Sequence, residues 1–510
     1  MTLKSEAKSE TEAPSSNPDV EAAPVTPKDA PFYPGDALST FRHVFFVGTL
    51  CTAMFTTQVG FGCAVATTGA INETYSVENQ GELAWAISGY SLTVGTFILI
   101  GGRLGDEFGS KKLFIIGMAW YALWALIAGC GVYSSHVLFI IARVFQGIGP
   151  ALTMPNALAM MGQSYSPGPR KNMSFAWFAG TAPFGAISGF AFGGLFALAW
   201  WPWIFWSQAI ANMGVAAFAA WAIPVLPSQR ELRSSLRERL EALDIPGGIT
   251  GVAALVLFNF AWTQAGIVGW QQPYVYVCLI LGVLFGALFL WIEFAWAKNP
   301  ILPLNALTLD IGFVFGCTGT GWACFGIYIF YVGQVAIHLG GNTPIQMAAW
   351  LSPTLVVGLV SALAVGKLLG KIKAHWIMLV GQIAFIIGSL LAANRPVDSV
   401  YWTYFFFSII VITIGIDTSF PAATVIFSDA VEQKYQGIGA SLALTVVNYS
   451  VSIGLAFAGT VEDNVRGDSP SDQARLDGYR GALWFSVGLA GLGFILSLIF
   501  IARNYWKKTA

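Results

Sequence analysis

Apolar runs of about twenty residues, set apart by short polar breaks, recur along the chain from residue 43 onward. At 1.5 Å per residue such a run crosses a hydrocarbon core of roughly 30 Å, so each predicts a membrane-spanning helix. Fourteen fit the pattern, at about 43–66, 83–101, 113–132, 137–161, 173–197, 202–225, 246–264, 273–296, 311–336, 345–367, 375–393, 400–425, 437–459 and 481–502. Residues 1–40 break it. They are polar and rich in Pro, Ser, Glu and Lys, which predicts a disordered cytoplasmic tail without a cleavable signal peptide. The longest internal break carries Leu232, Leu236, Leu240 and Leu243 at helical spacing among Arg and Glu, as an amphipathic helix on the membrane surface would. The expected fold is therefore all-α and integral to the membrane. It comprises a six-helix bundle (41–226), the surface segment (227–244), two inserted helices (245–297), a second six-helix bundle (298–503) and a short cytoplasmic tail (504–510).

Composition agrees. Charged residues make up 10% of the chain, against about 25% in soluble proteins, and mean hydropathy is +0.65. The net charge of -1 matters less than where the bases fall. Arg103, Lys111, Lys112, Arg170, Lys171, Lys298, Lys367, Lys371, Lys373, Lys434 and the arginines at 230, 233, 237 and 239 all lie on one side of the fourteen-span topology. The other side has only Arg395, Arg466, Arg475 and Arg480. The positive-inside rule puts the basic face, and with it both termini, in the cytoplasm. The plasma membrane is the expected location, with the vacuolar membrane as the alternative. The sequon Asn72-Glu73-Thr74 falls in the first outer loop and is a candidate glycosylation site.

The halves echo one another. Gly102-Arg103-Leu104 after the second span matches Gly366-Lys367-Leu368 after the tenth, an offset of 264 residues. Gly149 and Pro155 in the fourth span match Gly415 and Pro421 in the twelfth, an offset of 266. Two six-span repeats separated by two inserted spans explain the near-constant offset, the mark of a transporter built from repeated bundles.

Ionisable residues inside spans are costly and so informative. Arg143 lies in the fourth span and needs a cavity or a partner. Asp417 lies midway along the twelfth; it could carry a proton, pair with Arg143 across a cavity, or hydrogen-bond locally to Thr418 and Ser419. Glu293, near the end of an inserted span, is expected to be solvated at the interface. Gly185, Gly189 and Gly193 form a stripe on the fifth span that admits a neighbouring helix at close range. Gln58, Trp85, Tyr328, Gln334, Trp350 and Asn448 are candidates to line a central cavity. The six cysteines sit in apolar runs without C-x-x-C spacing and read as small hydrophobes. No nucleotide-binding loop or cluster of His, Asp or Ser is present, so neither an enzyme, a cofactor, a metal nor a nucleic-acid partner is expected.

Gly102-x-Leu104-x-Asp106-Glu107-x-Gly109-Ser110-Lys111 resembles the signature loop of the major facilitator superfamily, G-x-L-x-D-R-x-G-R-K, with Glu107 and Ser110 in place of the usual arginines. Arg143-Val144-Phe145-Gln146-Gly147-Ile148-Gly149 resembles the R-x-x-Q-G-x-G element of the same superfamily. Gly180 to Gly194, with Pro183, is a partial match to its antiporter element. Trp201-Pro202-Trp203-Ile204-Phe205 is similar to the W-R-W-x-F start of the sixth span in its fourteen-span drug exporters, with Pro202 replacing Arg. Together with Phe55 to Gly62 and Gly89 to Leu99, these elements resemble the fungal fourteen-span drug:proton antiporters, nearest the aminotriazole- and boron-resistance exporters. The resemblance implies proton-coupled efflux of a small organic compound by a monomer. It also implies that Asp106, with Gly102, Gly109 and Lys111, latches against the start of the thirteenth span near Gln436, and that Arg143 takes part in proton movement; Asp417, on the repeat partner of the fourth span, is the acidic counterpart by position. Bacterial-type members carry an Asp in the first span where this chain has Thr57-Gln58, which shifts weight onto Asp417. Facilitated movement of a small polar solute such as ammonium or boric acid, or a non-transporting membrane sensor, are the alternatives.

Overall fold

A computed structural model describes residues 33–76, 80–166, 169–224, 243–297, 300–301, 308–369, 371–397, 399–430, 436–467, 469 and 471–509. The surface segment expected at 227–244 falls almost wholly outside them. The N-terminal half contains α1 (Thr40–Tyr75), α2 (Gln80–Phe108), α3 (Ser110–Cys130), α4 (His136–Gln146), α5 (Ile148–Ser164), α6 (Pro169–Ala199) and α7 (Pro202–Ala222). Two helices follow, α8 (Ile245–Val268) and α9 (Pro273–Trp291). The C-terminal half contains α10 (Leu309–Gln334), α11 (Pro344–Leu351), α12 (Pro353–Leu368), α13 (Ala374–Ala393), α14 (Phe405–Ala430), α15 (Gln436–Arg466) and α16 (Asp472–Thr509).

Among the described residues these sixteen helices make fourteen rods, because α4–α5 and α11–α12 are each one broken rod. Pro150 and Pro353 lack the amide proton that would carry the helix through. Thirteen rods are long and apolar enough to span a bilayer by composition. The remaining one, α7, has 21 residues, and Trp203, Trp206, Gln208, Asn212 and Trp221 lower its hydropathy. Its C-terminal carbonyls are capped from outside: Lys111 Nζ donates to Ala220 O at 2.9 Å and to Ile223 O at 2.6 Å.

Several boundaries differ from expectation. The stretch 101–112 is not an open turn: α2 runs through it to Phe108 and α3 starts at Ser110. The whole reversal falls on Gly109 at φ 99°, a backbone conformation that glycine adopts without strain. The tail is not free up to residue 40. Gly35 N donates to Ser164 O, Ser166 N to Asp36 Oδ2 and Arg170 to Asp36 O. The hydrogen bonds from Ser166 hold the Asp36 carboxyl below the usual carboxylate range. At the other end α16 continues helically to Thr509, and Arg503 pairs with Asp310 at the start of α10 at 3.6 Å. The sequon is not in a loop either. Asn72 lies in the last turns of α1, its Oδ1 buried, while Thr74 Oγ1 donates to Ala70 O and accepts from Trp201 Nε1. A sequon wound into a helix with its threonine hydroxyl bonded is a poor glycan acceptor, so treatment with an endoglycosidase should leave the protein's electrophoretic mobility unchanged.

Two seams join the halves: α2 against α15, and α6 against α11 and α12. The inserted α8 leans on the first seam, touching both α2 and α15. A buried polar knot ties the three helices: Asn259 Nδ2 donates to Ser452 Oγ at 3.0 Å, and Ser452 Oγ donates to Ser88 O at 2.9 Å. Toward the face away from the basic loops, one hydrophobic core is shared by both halves, with Ala64, Val65 and Ile87 packed among Tyr328, Val332, Met347, Val451 and Leu455. Toward the basic face the cores separate. One holds Phe46, Met54, Phe114 and Met154, the other Val314, Val365, Met378 and Phe500. The halves thus share one core at the end away from the basic loops, while at the basic end they meet along the α2–α15 seam, where Leu444 joins the N-terminal core.

Candidate functional site: a central cavity around Asp417

Between the seams lie two adjoining pockets with empty volumes of about 770 Å³ and 990 Å³. Gln58, Phe61, Pro183, Trp322, Phe325 and Asp417 line both. The second pocket extends toward the basic face past Met154, Ala362 and Pro421. Asp417 is the one charged side chain among the lining residues.

The sequence of α14 explains how Asp417 gets there. Ile409, Ile412, Thr413, Ile416, Asp417 and Phe420 recur at helical spacing, and all six line the cavity. Pro421, four residues on, has no amide proton, so the Asp417 carbonyl lacks its intrahelical donor. Thr418 Oγ1 donates to Ile414 O and Ser419 Oγ to Ile416 O, so local bonds to the carboxyl, one of the three alternatives, do not form. The carboxyl Oδ2 is buried without a hydrogen-bond partner. It fits because residue 358 on α12 is glycine: a Cβ there would stand 3.1 Å from Oδ2 and 3.5 Å from Pro183 Cγ.

Arg143 is not its partner. The side chain is 0% exposed and faces into the N-terminal bundle, donating to Gly60 O at 2.7 Å, Ala86 O at 3.1 Å and Gln146 Oε1 at 2.5 Å. Its guanidinium lies 4.4 Å from the Tyr90 ring centroid. Two main-chain carbonyls and an amide satisfy the planar fork, so the cation needs no carboxylate. The expected Arg143–Asp417 contact is therefore absent from this conformation, in which Tyr90 stands between Arg143 and the cavity.

Glu293 departs from expectation as well. It is 5% exposed rather than solvated, in a π-helical turn that extends α9, and it accepts from Ile301 N at 3.1 Å. Arg103 of α2 donates to the neighbouring Pro300 carbonyl, so the segment leaving the inserted pair is gripped from two sides.

Of the proposed cavity residues, Gln58, Tyr328 and Asn448 line the pockets. Trp85, Gln334 and Trp350 do not. Trp85 packs on Phe260 of α8, Gln334 is buried near the end of α10, and Trp350 stacks on Tyr401 beside Arg395. The sequence reading missed Phe61, Trp322, Phe325 and Phe420, although the α14 stripe and the Trp322–Phe325 spacing were there to be found. The glycine stripe lies against α1: Cβ atoms on Gly185 and Gly189 would meet Phe55 O at 2.4 Å and Val59 O at 2.6 Å. At the basic end, Gly102 brings α2 close to Ser441 of α15, and α15 begins at Gln436. Asp106 is exposed on the last turn of α2, and residues 431–435, which precede α15, lie outside the described residues.

A sequence model of the Major Facilitator Superfamily matches residues 49–349. The efflux pump terG of Aspergillus terreus is 52% identical over 95% of this chain and 91% of its own length. The low affinity ammonium transporter of Saccharomyces cerevisiae is 46% identical over 91% of this chain and 88% of its own. The aminotriazole resistance protein of the same yeast is 33% identical over 92% and 85%. With twin helical bundles around a central cavity and kinship of this extent along nearly its whole length, the chain belongs to the major facilitator superfamily.

Proposed function

We propose that the protein is a secondary transporter that exports a small organic compound in exchange for protons, with Asp417 as the proton carrier. The observation that carries this reading is a lone carboxyl, its Oδ2 without a partner, in a cavity closed at one end of the molecule. A buried carboxylate without a partner is unfavourable, so Asp417 is occupied by a proton or by a ligand. Alternation between the two ends of the molecule then moves whichever one it holds. Kinship with a protein named as an efflux pump supports the outward direction. The basic-face asymmetry supports cytoplasmic termini, with the plasma membrane as the location in which such an exporter would load from the cytoplasm. The close approach of Gly102 to Ser441 supports a latch at Asp106, where α2 meets α15.

Facilitated ammonium movement is the second reading, favoured by the ammonium transporter's 46% identity. The aromatic cavity wall suits an organic body better than a small hydrated ion. Growth of an exporter-deficient host on a panel of toxic organic compounds separates the two. Expression should confer resistance that a protonophore abolishes, whereas facilitated movement would survive the protonophore. Asp417→Asn holds a neutral side chain of the same shape, and resistance should fall by about tenfold or more, the scale of a lost proton-transfer group. Resistance in Asp417→Asn equal to that of the parent at every external pH would give the carboxyl a structural role only.

A further inference from the structure

Arg395, two residues beyond the end of α13, is 6% exposed and has no carboxylate partner among the described residues. The Phe405 and Trp350 ring centroids lie 5.2 Å and 5.7 Å from its guanidinium carbon, which shields the cation without neutralising it. Its Nε donates to Ser399 Oγ at 3.1 Å, which satisfies one of the five N–H groups that a guanidinium carries. The carbonyls at the end of α13 are taken by other donors: Leu390 O by Asn394 N and Nδ2, and Ala392 O by the Arg395 main-chain amide. Glu462, on the same face of the molecule, accepts instead from the Tyr331 hydroxyl at 2.8 Å. Arg480 adds a second cation, donating to Arg395 O at 3.2 Å. Burial draws the Arg395 pKa below the ordinary arginine value, as expected of a charge held out of water without an acid beside it.

The guanidinium lines a small pocket of about 270 Å³, walled by Val332 of α10, Leu391 of α13, Phe405 and Ser408 of α14 and Leu483 of α16. No Asp or Glu is among the described residues of that wall. The Ser408 hydroxyl lies 2.8 Å from both Gly388 O and the Tyr328 hydroxyl, and Tyr328 in turn lines the central cavity, so this pair stands between the two spaces. A multiply charged oxyanion would meet one positive charge and too few donors for its oxygens. A neutral apolar molecule would fill the space and leave the guanidinium unpaired. A halide carries one charge, sheds its hydration readily and suits a guanidinium, which is itself weakly hydrated. We propose that this pocket is a binding site for a halide, chloride foremost, held against the guanidinium of Arg395. There it braces α10, α13, α14 and α16 on the face away from the basic loops. The site is separate from the Asp417 cavity and takes a ligand of fixed negative charge, so it stands or falls independently of the transport reading.

The test uses purified full-length protein in detergent, dialysed into sodium gluconate and titrated with sodium chloride at constant ionic strength. Chloride should raise the melting temperature saturably, by about 2 °C or more, because a ligand of the folded state stabilises it by mass action. Sodium sulfate at the same ionic strength should not reproduce the rise. Chloride NMR lines should broaden in the presence of the protein and sharpen again when bromide competes. Arg395→Gln should abolish both responses. Because that variant also loses its contacts with Phe405 and Trp350, Leu391→Glu supplies a second arm. It places a carboxylate one helical turn before Arg395, at a position that lines the same pocket. In gluconate it should melt at least as high as the parent, and it should no longer respond to chloride. Asp398, three residues after Arg395, lies outside the described residues; Asp398→Asn should leave the chloride response unchanged. A parent without either response, or responses that survive in both Arg395→Gln and Leu391→Glu, would overturn the proposal. So would a response that emerges only in Asp398→Asn, since Arg395 would then have a carboxylate of its own.

Discussion

Arg143→Met should destabilise the protein more than substitution of any cavity residue. The guanidinium bridges three helices, taking acceptors from α1 at Gly60, from α2 at Ala86 and from α4 at Gln146, at 2.7, 3.1 and 2.5 Å. Methionine fills much of the space but donates nothing. Gln146 Oε1 then loses its donor in a site with 0% exposure, and its Nε2 already lacks an acceptor. An unsatisfied buried polar group costs about 1–3 kcal/mol, and loss of the contact with Tyr90 adds to it, for a total of about 2–4 kcal/mol. Arg143→Lys keeps the charge but has no planar fork, so it cannot hold three acceptors on three helices and should fall between Met and the parent. Thermal unfolding in detergent gives the order parent, Lys, Met. A melting temperature for Arg143→Met within about 2 °C of the parent would mean that the bonds contribute little net stability. The same variants separate structure from transport. A folded Arg143→Met that still exports would remove the arginine from the transport cycle.

How far the sequence could be read depended on whether the signal was local. The crossings were legible because a helix in lipid must be apolar over its whole length, and that demand is written residue by residue. The reversal at 101–112 was misread because glycines and charges usually mark a loop. In fact a helix end at the membrane surface can carry both, and only the φ of 99° at Gly109 breaks the helix. The partner of Arg143 was illegible for another reason. Two of its three acceptors are the main-chain carbonyls of Gly60 and Ala86, which leave no trace in a sequence; the third, Gln146, stands in the quoted R-x-x-Q element. Asp417 itself was identified, but its neighbours were not, because the wall was sought one polar residue at a time. The stripe from Ile409 to Phe420 names the wall by spacing alone. Gly358, whose missing Cβ leaves room for the carboxyl, becomes visible only once α12 and α14 are seen together.

Gly185→Val should force apart α1 and α6, two closely packed helices of the N-terminal bundle. A Cβ at 185 would lie 2.4 Å from Phe55 O, and one at 189 would lie 2.6 Å from Val59 O. From the other side, a Cβ on Gly62 of α1 would reach 2.4 Å from Ala186 O. All three obstacles are main-chain oxygens, which cannot swing aside as a side chain would, so the helices themselves must separate. Overpacking of this kind costs about 1–3 kcal/mol, and the branched valine puts it at the upper end. Gly180 on the same helix is the control, because nothing stands within 4 Å of a Cβ placed there. Gly180→Ala should be neutral or should stabilise α6 by up to about 1 kcal/mol through its better helix propensity. The damage from Gly185→Val should also reach the cavity, since the new side chain would press on Gln58, whose Cβ is 2.9 Å from the added carbon and whose side chain lines both pockets. Melting temperature and export should therefore fall together in Gly185→Val and stay near the parent in Gly180→Ala. Equal melting temperatures for the two variants would show that α1 and α6 are not held at the separation seen here.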